Sequence, residues 1–182
     1  MRKVEKILVP IDFSEESARA LRHALALAME TGAELIALYV VEPYSLRDYF
    51  ASSLASLEDS PFPGNNTPVI SIDALLHDKT LDLSNFIANT AQGTSRVKIT
   101  KKVRMGSIVE EIAATTQEEN IDLIVLELRK RFLFPDLATL KALKIMRTLP
   151  CPVLLDPPIT EDRSEPRKPL LLLQTTPGEN IA

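Results

Sequence analysis

A cluster of basic side chains follows one of the apolar, strand-like runs of this 182-residue chain. Arg129, Lys130 and Arg131 are consecutive, and further basic residues follow at helical spacing: Lys141, Lys144 and Arg147. Guanidinium and ammonium groups bind anions through charge-assisted hydrogen bonds, so this set could hold an anion through its side chains. Most charge runs are a solvated face, which is the simpler interpretation.

Asp12 is the acidic residue whose position in the sequence best suits contact with a ligand. It directly follows an apolar run and precedes Ser14, a residue type that often caps helices. Ligands of open α/β sheets bind at the carboxyl ends of strands, so Asp12 could contact one in a crevice facing the loop 126–136. The alternative is that Asp12 accepts hydrogen bonds from the turn and supports the helix start.

The other nucleophilic and metal-binding residue types are isolated in the sequence. His23 and His77 have no His, Cys or carboxylate at convincing metal-ligand spacing, so no metal is expected. Cys151, the single cysteine, lies between two prolines and is expected to be a packed thiol. Ser107 and Glu110 match a capping box, in which each satisfies a backbone donor of the other. The sequence therefore predicts no catalytic constellation and no enzyme.

Alternating strands and helices must position these residues. Apolar runs predict strands over residues 6–11, 34–41, 96–105, 121–126 and 153–155. Amphipathic spacing predicts helices between Ser14 and Gly32, over 69–92, from Ser107 and over 137–149, with a short helix over 45–57. This order is typical of an α/β fold with an open, doubly wound, five-stranded parallel sheet.

Composition places the chain among soluble globular proteins. It has a net charge of -4, with 45% hydrophobic and 25% charged residues. No apolar stretch approaches the length of a membrane span, so membrane insertion is not expected. This mildly negative net charge argues against nucleic acid as the main ligand. The charged first residues lack the apolar core of a signal peptide, and a cytoplasmic location is expected.

The chain divides into one predicted domain and a tail. The α/β domain covers residues 1–156 and contains a long loop over 42–68, which is rich in proline and serine. Residues 157–182 are rich in proline and polar residues and are expected to form a flexible tail. Within this tail, Leu170–Leu173 form an apolar patch that would dock on its own domain or on a partner subunit.

Five segments in order resemble the universal stress protein family, which includes UspA-like proteins. They are residues 6–17, 38–43, 105–106 with the helix that follows, 122–125 and 150–154, within a match over 4–156. The resemblance implies a Rossmann-like, adenine nucleotide alpha hydrolase-like sheet in the order 3-2-1-4-5 with helices on both faces. It also implies a homodimer in which the last strands meet, and a stress-response or regulatory role rather than catalysis.

Many members of this family bind ATP or a related adenine nucleotide, and others do not. The resemblance implies Asp12 and Val40 as nucleotide contacts, with the phosphates on a loop G-x2-G-x9-G-[ST] after the fourth strand. Glycine lets backbone N–H groups approach phosphate closely because it has no Cβ. Here no glycine stands between Gly106 and Gly178, and Glu127 and Lys130 fall at the first two glycine positions. The usual ATP site is therefore expected to be absent, with no cofactor.

Two functions stay open on the sequence. The first is a stress-response domain that acts through protein interaction, with an unknown protein partner and a surface that includes the loop 42–68 and the tail. The second is a small-molecule switch that binds ATP, ADP or another anion in a remodelled crevice. Its contacts would be Asp12, Val40, Arg129, Lys130 and Arg131. Nucleotide hydrolysis, a third class, would need a positioned general base, which the sequence does not arrange.

Overall fold

The computed structural model describes residues 3–43, 46, 71–91, 96–127, 149, 151–156 and 171–173. The first half forms β1 (Lys6–Ile11), α1 (Glu15–Thr31), β2 (Glu34–Val41) and α2 (Ile72–Thr90). The second half forms β3 (Ile99–Met105), α3 (Ile108–Glu119), β4 (Leu123–Glu127), β5 (Val153–Asp156) and β6 (Leu171–Leu173). The predicted helices over 45–57 and 137–149 fall largely outside the described residues, as do the loops 42–68 and 126–136.

One six-stranded sheet organises these elements in the order β3-β2-β1-β4-β5-β6. Its first five strands in sequence pair in parallel, which confirms the predicted doubly wound sheet and the order 3-2-1-4-5. The chain winds outward from β1 to β3 and then returns to place β4 on the other side of β1. Such a reversal opens a crevice at the carboxyl ends of the two central strands.

β6 is a strand that the sequence analysis did not predict. It runs antiparallel to β5, with Leu154 opposite Leu172. The apolar patch Leu170–Leu173 was expected to dock on its own domain or on a partner subunit, and in the structure β6 pairs with its own domain. Three residues are too few to show a strand periodicity in a sequence.

The core lies in two apolar layers, one on each face of the sheet. Ile7 and Val9 of β1 lie in the layer beneath α1 and α2, and Leu8 lies in the layer beneath α3. All three side chains have an exposed fraction of 0%. Burial of one such side chain contributes about 1.5–3 kcal/mol. β1 is therefore buried on both faces, as its continuous apolar run predicted.

The predicted ends of α1 are confirmed. The Ser14 hydroxyl accepts a hydrogen bond from the Ser17 N–H at 3.1 Å, which satisfies a free donor in the first turn. Gly32 has a φ of 74° and donates its N–H to the Ala28 carbonyl at 2.9 Å. Glycine adopts this left-handed conformation without a steric cost, so it ends the helix cleanly.

The start of α3 is where predicted, but the capping box is wrong. Ser107 occupies the N-cap position and makes no side-chain cap hydrogen bond. Its carbonyl accepts the Glu111 N–H at 2.9 Å. Gly106 makes room for the Glu111 side chain, because a Cβ there would lie 2.5 Å from a Glu111 carboxylate oxygen. Glu110 and Glu111 also complement the positive end of the helix.

No helix in the described part of the chain is both long enough and apolar enough to cross a membrane.

Charged residues of β3, which ends the sheet, pair with carboxylates on neighbouring elements. Lys102 contacts the Glu119 carboxylate of α3, and Lys6 of β1 lies 3.3 Å from the same group. Arg104 donates two hydrogen bonds to Glu118. Basic residues on an edge strand discourage pairing with another sheet, and here they also tie β3 and β1 to α3.

These contacts lower the pKa of three carboxyl groups from the ordinary value of 4.5. For Glu119 the main cause is the hydrogen bond from Lys102, followed by that from Lys6. For Glu34 it is the Thr100 hydroxyl and then Lys98, and for Glu118 it is Arg104. The ionised form of each group is favoured by folding.

We expect the free energy of unfolding to fall as the pH drops below about 4.5. The unfolded carboxyls titrate near 4.5 and the folded ones lower, so the stabilisation present above 4.5 is lost as the pH falls through the folded pKa values. Urea unfolding at pH 7 and pH 3 measures this loss, which should be smaller in Glu119→Gln. Glu30→Gln, at an exposed position of α1, should lose as much as the parent. An equal loss in both variants would contradict the assignment.

A second stability prediction concerns two buried hydroxyls on α3. The Thr116 hydroxyl donates to the Ile112 carbonyl at 2.7 Å, whereas the Thr115 hydroxyl has no hydrogen-bond partner within the described residues. A buried polar group without a partner costs about 1–3 kcal/mol, so Thr115→Val should raise the free energy of unfolding by about 1 kcal/mol. Thr116→Val should lower it. Urea unfolding measures both, and a loss of stability in Thr115→Val would show that its hydroxyl is bonded.

Candidate functional site

The candidate site lies at the carboxyl ends of β1 and β2. These strands pair in parallel up to Ile11 opposite Tyr39, so Asp12 and Val40, the residues that follow this last pair, both lie at the carboxyl end of the sheet. Val40 also stands opposite Arg104 of β3. Two of the five predicted contact residues therefore lie at the carboxyl edge of the sheet, and their contact with a ligand stays a prediction.

The Asp12 carboxylate takes part in the turn that joins β1 to α1. It accepts a hydrogen bond from the Ser14 N–H at 3.0 Å and another from the Ser14 hydroxyl. A carboxylate that bonds the backbone two residues later stabilises a tight turn. The interpretation of Asp12 as a support for the helix start is thus confirmed. Its role as a ligand contact stays a prediction.

The Val40 side chain offers little surface to a ligand. Its side chain is 8% exposed and packs in the layer beneath α3. Next to it, the Val41 carbonyl accepts the Gly106 N–H at 3.1 Å, which holds the end of β2 against the start of the β3–α3 connection. A contact of Val40 with a ligand would therefore rest on main-chain groups at the strand end.

Phe13, between Asp12 and Ser14, was not singled out by the sequence analysis. Its φ of 62° lies in the left-handed region, where a residue with a Cβ is strained by about 1–2 kcal/mol. Its ring centroid lies 4.6 Å from that of Tyr39 and 5.6 Å from that of Phe86 on α2. Aromatic pairs at such distances contribute about 0.5–1.5 kcal/mol each, so these contacts offset the strain.

A lysine lies over this aromatic cluster. The Lys79 Nζ is 6.0 Å from the centre of the Phe13 ring and 2.8 Å from a carboxylate oxygen of Asp82. The hydrogen bond to Asp82 is the main cause that raises the pKa of Lys79. The Phe13 ring therefore lies beneath a positive charge that is already paired with a carboxylate.

The basic part of the predicted site, Arg129, Lys130 and Arg131, lies outside the described residues. The described part of β4 ends at Glu127, whose register partner is Asp156 at the end of β5. Acidic residues thus occupy the ends of β4 and β5 in neighbouring positions. The family resemblance predicts the first glycine position of the phosphate loop at Glu127, and this alignment stays a prediction.

Cys151 is a packed thiol, as predicted. It is 5% exposed, and burial is the main cause that raises its pKa to about 11, with the nearby Asp122 charge adding to the effect. Reactive cysteines have a lowered pKa, so this thiol is a poor nucleophile. His23 and His77 are both exposed. Within the described ranges, no group of three His, Cys, Asp or Glu side chains could hold a metal ion.

Asp122 has a structural role that the sequence analysis missed. Its carboxylate accepts hydrogen bonds from the N–H groups of Glu5 and Lys6 at 3.0 and 3.1 Å. Its own N–H donates to the Lys6 carbonyl at 3.0 Å. These three bonds fix the start of β1 against the start of β4. No local pattern could have shown them, because the partners are more than a hundred residues apart in the sequence.

Comparisons with known proteins agree with the geometry. A model of the universal stress protein family matches residues 3–157. A search of curated proteins gives no significant match. Among solved structures, the chain is similar to hypothetical protein MJ0577, with a TM-score of 0.62 and 19% identity over 88% of this chain and 100% of that one.

Two further solved structures are similar at a comparable level. A universal stress protein in complex with cAMP has a TM-score of 0.61 and 18% identity, covering 85% of this chain and 98% of that one. UspA from Lactobacillus plantarum has a TM-score of 0.56 and 24% identity, with coverages of 85% and 99%. At these identities the structures show a shared fold.

The strained backbone of Phe13 predicts an unusual order of stability between two variants. Phe13→Ala and Phe13→Gly lose the same ring contacts, but glycine adopts a left-handed φ without strain. We expect Phe13→Gly to be more stable than Phe13→Ala by about 1 kcal/mol in urea unfolding. Phe86 is the matched control, since it lies in α2, where glycine is worse than alanine by about 1 kcal/mol. The same order at both positions would contradict a left-handed Phe13.

Proposed function

Because the chain belongs to the universal stress protein family, we propose that this stress-response domain acts through protein interaction, without the family's ATP site. The observation that carries the proposal is the absence of glycine from residues 107–177. A phosphate cradle needs backbone N–H groups at close range, and side chains with a Cβ keep the phosphate away from them. The stretch after β4 contains no glycine, so every residue there carries a Cβ.

The charges at the carboxyl edge of the sheet also support the proposal. Asp12 follows β1, and the last positions of β4 and β5 are Glu127 and Asp156. A triphosphate carries several negative charges and would approach this edge against like charge, which is unfavourable at short range. Asp12 in addition bonds Ser14 in the turn, so a ligand would compete with contacts that stabilise the fold.

The placement of the serine and cysteine side chains in the described part of the chain agrees with a role in binding rather than catalysis. The Ser14 hydroxyl donates to Asp12 and accepts the Ser17 N–H, so it serves the helix cap. The Cys151 thiol is buried and has a raised pKa. General acid–base chemistry needs a titratable group within reach of a bound substrate, and neither group is placed for that role.

The proposed interaction surface has two parts. One is the edge of the last parallel strand, β5, through which a second copy would pair to form a homodimer, as the family resemblance implies. The other would comprise the loop 42–68 and the tail 157–182, where an unknown protein partner would bind. The proposal includes a cytoplasmic location, without nucleic acid as a ligand and without membrane insertion.

The second candidate function is a small-molecule switch, and the position of Asp12 and Val40 at the same edge of the sheet favours it. One relative of similar fold was solved in complex with cAMP. In this chain an anion would rely on side chains for its binding, because the glycines are missing. Arg129, Lys130 and Arg131 would then supply the positive charge in the crevice facing Asp12.

A thermal-shift titration with ATP, ADP and cAMP separates the two functions. A ligand present at about a hundred times its Kd stabilises the folded state by about 2.7 kcal/mol, which appears as a rise in Tm. We expect no saturable rise with any of the three at millimolar concentration. A rise that is lost in Asp12→Ala and kept in Asp78→Ala, an exposed aspartate of α2, would establish the switch instead.

Charge reversal of the basic set completes this test. If an anion binds through side chains, the variant Arg129→Glu, Lys130→Glu, Arg131→Glu should abolish any rise in Tm, because it removes the positive charge. A rise that survives the reversal but not Asp12→Ala would show that the crevice binds nucleotide without the basic side chains, and the proposal of a missing ATP site would then be wrong.

A further inference from the structure

The outer edge of β5 is occupied by a strand of the same chain. β6 pairs with it antiparallel, and Val153, Leu154 and Leu155 stand opposite Leu173, Leu172 and Leu171. On its other side β5 pairs in parallel with β4. The strand that the proposed homodimer would use is therefore already paired on both sides.

The direction of the backbone groups on β5 follows from one hydrogen bond. The Ile124 N–H of β4 donates to the Pro152 carbonyl at 3.1 Å, so the main-chain groups of Pro152 face β4. Successive residues of a strand direct these groups to opposite sides, which turns those of Val153 and Leu155 toward β6. The pairs Val153–Leu173 and Leu155–Leu171 are thus the hydrogen-bonded ones, and Leu154–Leu172 is the non-hydrogen-bonded pair between them.

A second copy of β5 would fit this position in the same direction. In a two-fold symmetric dimer, two edge strands that meet side by side run antiparallel, as β6 runs to β5. The three residues are also alike, Val-Leu-Leu in β5 and Leu-Leu-Leu in β6. In the register of β6, Leu154 would face Leu154 of the second copy, and Val153 would face its Leu155.

We propose that β6 and the β5 strand of a second copy compete for the same edge, so that release of β6 controls dimerisation. This inference rests on the proposed homodimer and adds a means by which its formation is regulated. A three-residue strand offers few backbone bonds, so β6 is a weak occupant that the β5 strand of a second copy can displace. While β6 is bound, it also covers an apolar edge that would otherwise pair with other sheets.

The strength of this control follows from the need to release two strands for each dimer. The apparent affinity of a protein falls in proportion to the fraction of molecules in the binding-competent state. Both copies must release β6 before their β5 strands can meet. A tenfold weakening of β6 pairing in each copy should therefore lower the apparent dissociation constant by up to roughly a hundredfold.

Proline substitutions in the full-length chain test the competition. Leu171→Pro with Leu173→Pro removes the two N–H groups that β6 directs at β5, because proline has no backbone donor. Leu172→Pro is the matched control, since its N–H faces away from β5 and proline is tolerated at such edge positions. Light scattering over a concentration series should show dimers of the double variant at roughly tenfold or more lower concentration than in the parent or Leu172→Pro.

A cysteine at position 154 reports where the two copies meet. The Cα atoms of a non-hydrogen-bonded antiparallel pair are about 4.5 Å apart, within the range of a disulfide. Leu154→Cys added to the double proline variant should therefore give a disulfide-linked dimer under oxidation. Leu154→Cys alone should give much less, because β6 covers the edge. The double proline variant with native Leu154 should give none, since Cys151 is buried.

The outcomes separate this inference from the proposed homodimer. Stronger dimerisation of the double variant, with linkage through position 154, supports the competition. Equal dimerisation of the parent and both proline variants would overturn the competition and leave the homodimer standing. No dimer of any variant would contradict the homodimer, and the competition with it.

Discussion

The burial of β1 on both faces is the constraint on which the rest of this structure depends. Ile7, Leu8 and Val9 have no exposed surface, and the strand lies between β2 and β4 at the point where the sheet order reverses. The two apolar layers meet at this strand, so α1 and α2 must cover one face while α3 covers the other. The crevice at its carboxyl end is a consequence of the same arrangement.

At that end the chain must leave a buried strand and enter a helix within three residues. Asp12 and Ser14 satisfy the polar groups of the turn, and Phe13 adopts a left-handed backbone conformation. Contacts of the Phe13 ring with Tyr39 and Phe86 hold this conformation in place. The residues that would meet a ligand are thus already used to connect β1 to α1, which agrees with a site that has a structural role in this chain.

The parts of the fold that the sequence predicted are those with strong local patterns. The bounds of β1 and β2, the Ser14 cap and the Gly32 end of α1 follow from apolar runs and from the chemistry of single residues. At Ser107 a local pattern of the same kind failed. A capping-box pattern shows that two residues could bond the backbone, but Ser107 makes no side-chain cap hydrogen bond in the folded chain.

The features that could not be predicted depend on distant parts of the chain. The bonds from Glu5 and Lys6 to Asp122 and the pairing of β6 with β5 join segments whose proximity only the folded sheet reveals. At the candidate site, the pairing of β1 with β2 places Asp12 and Val40 at the same edge of the sheet, and their role as ligand contacts stays a prediction. Nothing in the sequence indicated the conformation of Phe13, because bulky residues rarely adopt a positive φ.

The hydrogen bond from Glu5 to Asp122 has a consequence for synthesis of the protein. It joins positions 117 residues apart, so β1 pairs with its second neighbouring strand only after β4 has left the ribosome. At translation rates of about 5–20 residues per second, β1 waits roughly ten seconds with one edge uncovered. Newly made chains are therefore exposed to aggregation in this interval, and a chaperone that binds extended apolar segments would protect them at β1.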